Sequence, residues 1–114
     1  MAEMRKLAAY FAQFDGTEKT WDEVEPYFAA LFHEDCQIIT VTKAGEGVTT
    51  YDEWAGFLKV SIERKADISM TKLEDVGGGV IEYKAALIYP GKDPIHFASR
   101  GEFKDGQLFK VSPL

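Results

Sequence analysis

Apolar residues recur at helical spacing early in the chain and at strand spacing late in it. Leu7, Tyr10, Phe11 and Phe14 fall at i, i+3, i+4 and i+7, which predicts a helix over residues 4–14, stopped by Asp15-Gly16. Thr20-Trp21-Asp22-Glu23 reads as a capping box, a hydroxyl and a carboxylate that reciprocally satisfy free amides. It opens a second helix with Val24, Phe28, Leu31 and Phe32 inward. Pro26 has no amide for the ladder, so either the first turn is irregular or the regular helix begins near Pro26. His33-Glu34-Asp35 closes this helix, with His33 at the negative end of its dipole. Residues 36–42 form a strand, and Ala44-Gly45-Glu46-Gly47 turns the chain. Thr50-Tyr51-Asp52-Glu53 repeats the capping box and starts a third helix to about Lys65, with Trp54, Phe57, Leu58 and Ile62 on its apolar stripe.

From residue 66 onward the period changes to two. The spans 67–76, 80–89, 95–104 and 108–112 are rich in β-branched and aromatic residues. Gly77-Gly78-Gly79, the stretch from Pro90 to Pro94, and Asp105-Gly106 separate them. Asp-Gly between apolar runs predicts a type I′ hairpin, both of whose central residues need positive φ. Four strands joined by short turns make an antiparallel meander, and the preceding residues must cover one of its faces.

Composition narrows the class. The chain has 114 residues, 46% hydrophobic and 13% aromatic, which predicts one globular domain spanning 1–114. A net charge of −6 without like-charge blocks argues against nucleic acid and against anionic membrane surfaces. No apolar run approaches the ~20 residues of a membrane span, and the start of the chain is not a signal peptide. The lone Cys36 has no internal disulfide partner, which points to a reducing cytoplasm. His33-Glu34-Asp35-Cys36 collects metal-capable side chains, but adjacent residues cannot all converge on one ion, and no metal or cofactor is expected.

The element order, with three matched places, resembles the nuclear transport factor 2-like superfamily (SnoaL-like and ketosteroid isomerase-like). The places are Tyr10-Phe11-Ala12, the junction from Leu31-Phe32-His33 to Ile38, and the closing hairpin from Gly101-Glu102-Phe103 to Leu108. The resemblance implies an α+β, cystatin-like cone: a curved antiparallel sheet covered by three helices, with a deep pocket between them. The superfamily includes ketosteroid isomerases, polyketide cyclases, dehydratases and non-catalytic association domains. In the isomerases a carboxylate base works with a tyrosine and a neutral aspartic acid. The matched places put Tyr10 at the tyrosine, but Thr40 at the base and Ser99 at the acid. A threonine hydroxyl is no base near neutral pH without a partner, so that chemistry is not expected.

Alternation along the strands then assigns faces. With Ser99 inward, Ile95, Phe97 and Gly101 follow it, as do Tyr83 and Leu87 on the preceding strand and Phe109 and Val111 on the last. The expected pocket lining is Tyr10, Phe28, Phe32, Ile38, Thr40, Trp54, Leu58, Tyr83, Leu87, Phe97, Ser99, Phe109 and Val111. Such a chamber suits a small hydrophobic molecule with one or two polar groups; alternatively its side chains meet and the cone is filled, leaving a dimerisation or protein-interaction module. Glu82, Lys84, His96, Arg100 and Glu102 face outward, where the superfamily commonly dimerises, and a homodimer through this convex face is the expected partner. A one-residue register shift would exchange the faces and bring His96 inward. His96 with Tyr10 would then be the catalytic candidates for acid–base chemistry in a cyclase, isomerase or dehydratase.

Overall fold

The computed structural model describes residues 2–14 and 19–114. The expected stop at Asp15-Gly16 lies outside them. Helix α1 (Ala2–Phe11) buries Leu7, Tyr10 and Phe11. Helix α2 (Trp21–Leu31) buries Val24, Phe28 and Leu31 and carries Pro26 inside the helix on its exposed side. Strands β1 (Phe32–Thr42) and β2 (Gly45–Thr49) precede α3 (Tyr51–Glu63). Strands β3 (Asp67–Gly77), β4 (Val80–Ile88), β5 (Ile95–Lys104) and β6 (Gln107–Pro113) complete the order.

The sheet runs β2-β1-β6-β5-β4-β3. The meander is antiparallel throughout, and β1 joins it by pairing parallel with β6. Register shifts interrupt the β1–β6, β3–β4 and β5–β6 pairings. Each such irregularity bends a strand, which is how a sheet of this length curves. Helices α1 and α3 close over one face, with α1 against β3 and α3 against β1. The Lys6 Nζ donates to the Gly106 carbonyl at 2.9 Å, tying α1 to the last hairpin. At that hairpin Asp105 and Gly106 have φ of 52° and 81°, as a type I′ turn demands.

Three local expectations need correction. Helix α2 ends at Leu31, so His33, Glu34 and Asp35 lie on β1 and do not close a helix. Phe32 already has extended backbone (φ −94°, ψ 129°), and burying its ring in the core draws the chain straight into pairing with Leu108. The Gly45-Glu46-Gly47 segment is part of edge strand β2, paired with β1 from Ile38↔Thr49 to Thr42↔Gly45. Its exposure leaves it without the apolar alternation that marks a half-buried strand.

The third correction concerns Phe109. Glu102 pairs with Lys110 and Phe103 with Leu108, so Phe109 is the extra residue of a bulge. The bulge lets Leu108 and Val111 both point inward and turns Phe109 out. There its ring meets the His33 ring edge-on at 5.6 Å, and Lys104 Nζ lies 5.0 Å over it.

Candidate functional site

A cavity of about 260 Å³ lies between the helices and the sheet. Each covering element contributes to it: Leu7, Tyr10 and Phe11 from α1, Trp54, Phe57 and Leu58 from α3. The sheet supplies Phe32, Ile38, Ile39 and Thr40 from β1, Ile68 from β3, and Tyr83 and Leu87 from β4. Phe97, Ala98 and Ser99 of β5, with Val111 and Pro113 of β6, complete the wall. Phe57 and Pro113 are exposed and mark where the cavity meets solvent.

The structure brings together Tyr10, Phe32, Ile38, Thr40, Trp54, Leu58, Tyr83, Leu87, Phe97, Ser99 and Val111 around one space. Two expected residues are elsewhere. Phe28 is buried but packs into a separate aromatic stack, 4.8 Å from the Phe32 ring and 4.7 Å from Tyr51. Phe109 is on the opposite face for the reason given above. Ile95, beside the β4–β5 turn, is also exposed. His96 is exposed and absent from the lining, next to Ala86 on the outer face. The pairing Tyr83↔Ser99 fixes the register that puts Ser99 at the cavity and His96 outside, so His96 cannot serve as its acid or base.

Leu7, Phe11, Phe57 and Ile68 were not among the expected lining. Leu7, Phe11 and Phe57 sit on the apolar stripes of their helices, and that pattern held the signal. Ile68 required knowing that β3 runs beneath α1, which no local pattern states.

The polar content of the chamber is small and neutral. The polar side chains among its described lining residues are those of Tyr10, Tyr83, Trp54, Ser99 and Thr40. Burial pushes the Tyr10 phenol well above its ordinary range; the Trp54 N–H beside it offsets a little, and the nearby Tyr83 adds to the rise. Tyr83 is raised likewise by burial, with the Ser99 hydroxyl opposing and Cys36 adding. Both phenols therefore stay protonated and act as hydrogen-bond donors. Trp54 Nε1 is buried, and among the described residues no group reaches it in good hydrogen-bond geometry. Among the described residues no Asp, Glu, His, Lys or Arg lines the space, so none of them takes a proton there near neutral pH.

Outside the cavity, Cys36 is a buried free thiol whose pKa burial pushes up to about 12. His33 Nδ1 accepts the Asp35 amide at 3.0 Å. Among the described residues no three His, Cys, Asp or Glu side chains converge as a metal site.

The chain has the nuclear transport factor 2 fold, of the cystatin-like α+β type. It superposes on a candidate ketosteroid isomerase from Kribbella flavida with a TM-score of 0.70 at 18% identity, covering 97% of this chain and 75% of that one. A candidate SnoaL-like polyketide cyclase from Jannaschia sp. CCS1 gives 0.67 at 12% identity, over 99% and 84% of the two chains. TerC, co-crystallised with polyporic acid, gives 0.71 at 11% identity, over 100% and 91%. No protein-family model matches the sequence, and neither does any curated protein. At these identities the likeness is one of fold, and the same fold hosts unrelated functions.

Proposed function

We propose that this chain binds a small hydrophobic molecule in the cavity beneath its helices. The observation that carries the reading is the cavity itself: about 260 Å³ bounded by aliphatic and aromatic side chains with a few neutral donors. A filled cone would leave no such space. The volume falls just under the ~300–1,000 Å³ typical of pockets for drug-sized ligands, which favours one or two rings. That TerC was co-crystallised with an organic acid fits a fold that accommodates such guests. Acid–base catalysis has no matching observation among the described residues, whose share of the lining holds neither carboxylate nor imidazole.

The test is calorimetric titration with tetralin and similar one- and two-ring compounds. Wild-type protein should bind at least one with a dissociation constant below about a millimolar, some −4 kcal/mol. Ser99→Phe, which puts a ring into the space, should abolish binding while the protein stays folded. No binding by the wild type to any member would end this reading.

A second copy is the proposed partner for the convex sheet face. Glu74 lies opposite Glu82, and Lys72 opposite Lys84, so an acidic and a basic pair sit side by side there. Like charges directly opposite are unfavourable within a sheet, and the chain offsets part of this itself through Lys72–Glu74 at 3.2 Å and Arg100–Glu82 at 2.8 Å. A two-fold-related copy can set each pair against its opposite. Light scattering should give twice the chain mass at low salt and dissociation at 1 M salt, where screening reaches ~3 Å; a monomer at every concentration would refute it. No helix among the described residues is long and apolar enough to cross a membrane. The free Cys36 thiol fits a cytoplasmic setting.

A further inference from the structure

Helix α3 turns a stripe of residues to solvent on the side away from its core contacts. Leu58 and Ser61 are its buried positions, with Trp54, Ala55 and Ile62 half-buried beside them. At helical spacing Glu53, Gly56, Phe57, Val60 and Arg64 fall together on the other side, and all five are exposed. Phe57 and Val60 are 42% and 44% exposed, so neither finds full cover within the chain. Gly56 lies in mid-helix, where only proline is less favourable than glycine. A Cβ there would meet nothing within 4 Å, so no packing inside the chain requires the glycine. A missing side chain on an exposed helix lets another backbone approach closely.

We infer that this stripe docks a second copy of the chain, α3 against α3, in antiparallel register. The stripe is complementary to itself under a two-fold rotation. The rotation that sets Phe57 against Val60 of the second copy also sets Glu53 against Arg64 of that copy. Apolar contacts then lie at the centre and opposite charges at both ends, with Gly56 giving room between the backbones. Glu53 Oε1 accepts the Thr50 amide, which holds the carboxylate at the helix start where this pairing needs it. A parallel or shifted arrangement loses the match. The stripe lies on the helix side of the molecule, opposite the charged sheet face, so the two contacts between copies are separate. Phe57 borders the cavity mouth, so Val60 of the second copy becomes part of its rim. A contact this small is weak and forms at high chain concentration.

The experiment mixes two full-length variants, Phe57→Cys and Val60→Cys, with oxidised glutathione and identifies the disulfide-linked products by mass spectrometry. The native Cys36 is buried and stays out of the exchange. The antiparallel register expects the mixed product, residue 57 of one chain bonded to residue 60 of the other, in clear excess over both like-with-like products. Gly56→Gln in both chains should cut its yield by about tenfold, because a side chain then enters the contact. The same change should raise the melting temperature, since glutamine favours a helix more than glycine does. Arg64→Glu should cut the yield by about threefold, by setting acid against acid. Adding Glu53→Gln, which keeps a side chain able to complete the capping box, should restore it in that background.

A random mixture of the three products, or none above the level of a urea-unfolded control, overturns the docking and leaves the stripe to solvent or to a different protein. An excess of like-with-like products overturns the antiparallel register. A yield untouched by Gly56→Gln overturns close approach at the glycine, and one untouched by Arg64→Glu overturns the charge pairing. The sheet-face contact stands or falls separately, on its own salt dependence.

Discussion

Gly101 and Leu108 approach so closely that a Cβ on residue 101 would lie 2.6 Å from Leu108 Cδ2. Gly101 sits on β5 opposite Ile81 and Val111, and Leu108 is fully buried. The bulge at Phe109 is what swings Leu108 over the glycine. Gly101→Ala should therefore destabilise the protein by about 1–3 kcal/mol through overpacking. The Tyr83 ring is also near, 3.7 Å from that Cβ position, so relief cannot come from that direction without moving the cavity wall. Urea unfolding monitored by circular dichroism measures the loss; an unchanged midpoint would mean that Leu108 adopts another rotamer freely.

The two capping boxes look alike in sequence and differ in structure. At α3 the Thr50 Oγ1 accepts the Glu53 amide at 3.3 Å, and Glu53 Oε1 accepts the Thr50 amide at 3.1 Å. At α2 Glu23 Oε1 likewise accepts the Thr20 amide, at 3.4 Å, but the Thr20 hydroxyl donates to that same oxygen at 3.3 Å and the Glu23 amide goes to the Thr20 carbonyl. Thr50→Ala should cost about 1 kcal/mol, and Thr20→Ala less, because only the first frees a helix amide. Paired denaturation curves check the order. Equal losses would mean that the α2 hydroxyl reaches the amide in solution.

Much of this was legible in the chain. The meander, its hairpins and the starts of α2 and α3 follow from period, Asp-Gly and capping chemistry, all of which are local. What escaped was non-local. β2 is an exposed edge whose pairing with β1 creates it. Phe109 points outward because of a bulge, and one extra residue reverses a face without leaving a trace in the alternation. For the site, aromatic residues at strand spacing identified most of the wall. They could not distinguish Phe28, which is buried against Tyr51, from Phe32, which borders the cavity.

The outward position of His96 gives a sharp expectation. His96→Ala should leave probe binding unchanged, and Arg100→Ala should do the same. Arg100 Nη2 lies 2.8 Å from Glu82 Oε2, but the arginine is half exposed. Its loss should cost at most about 1 kcal/mol. Calorimetric titration of both variants checks the pair. A large loss of affinity in His96→Ala alone would place the imidazole at the cavity and overturn the strand register.

Alkaline conditions should destabilise the fold from an unusually well-defined starting point. Cys36 is raised from 9.0 to about 12 by burial, and the Tyr10 and Tyr83 phenols are raised from 10.0 for the same reason. In each case the folded state holds its proton to higher pH than the unfolded chain does. Above pH 9 the unfolded state therefore binds fewer protons than the native one, and stability falls as pH rises. The contribution of Cys36 is present in full below about pH 9 and is lost progressively as pH climbs towards 12. Cys36→Ala removes the earliest of these groups, so its decline should begin about one pH unit higher, where the tyrosines take over. Urea midpoints between pH 7 and 11 for both proteins measure this. Coincident profiles would show that Cys36 ionises in the folded state at its ordinary pH, with its thiol open to solvent.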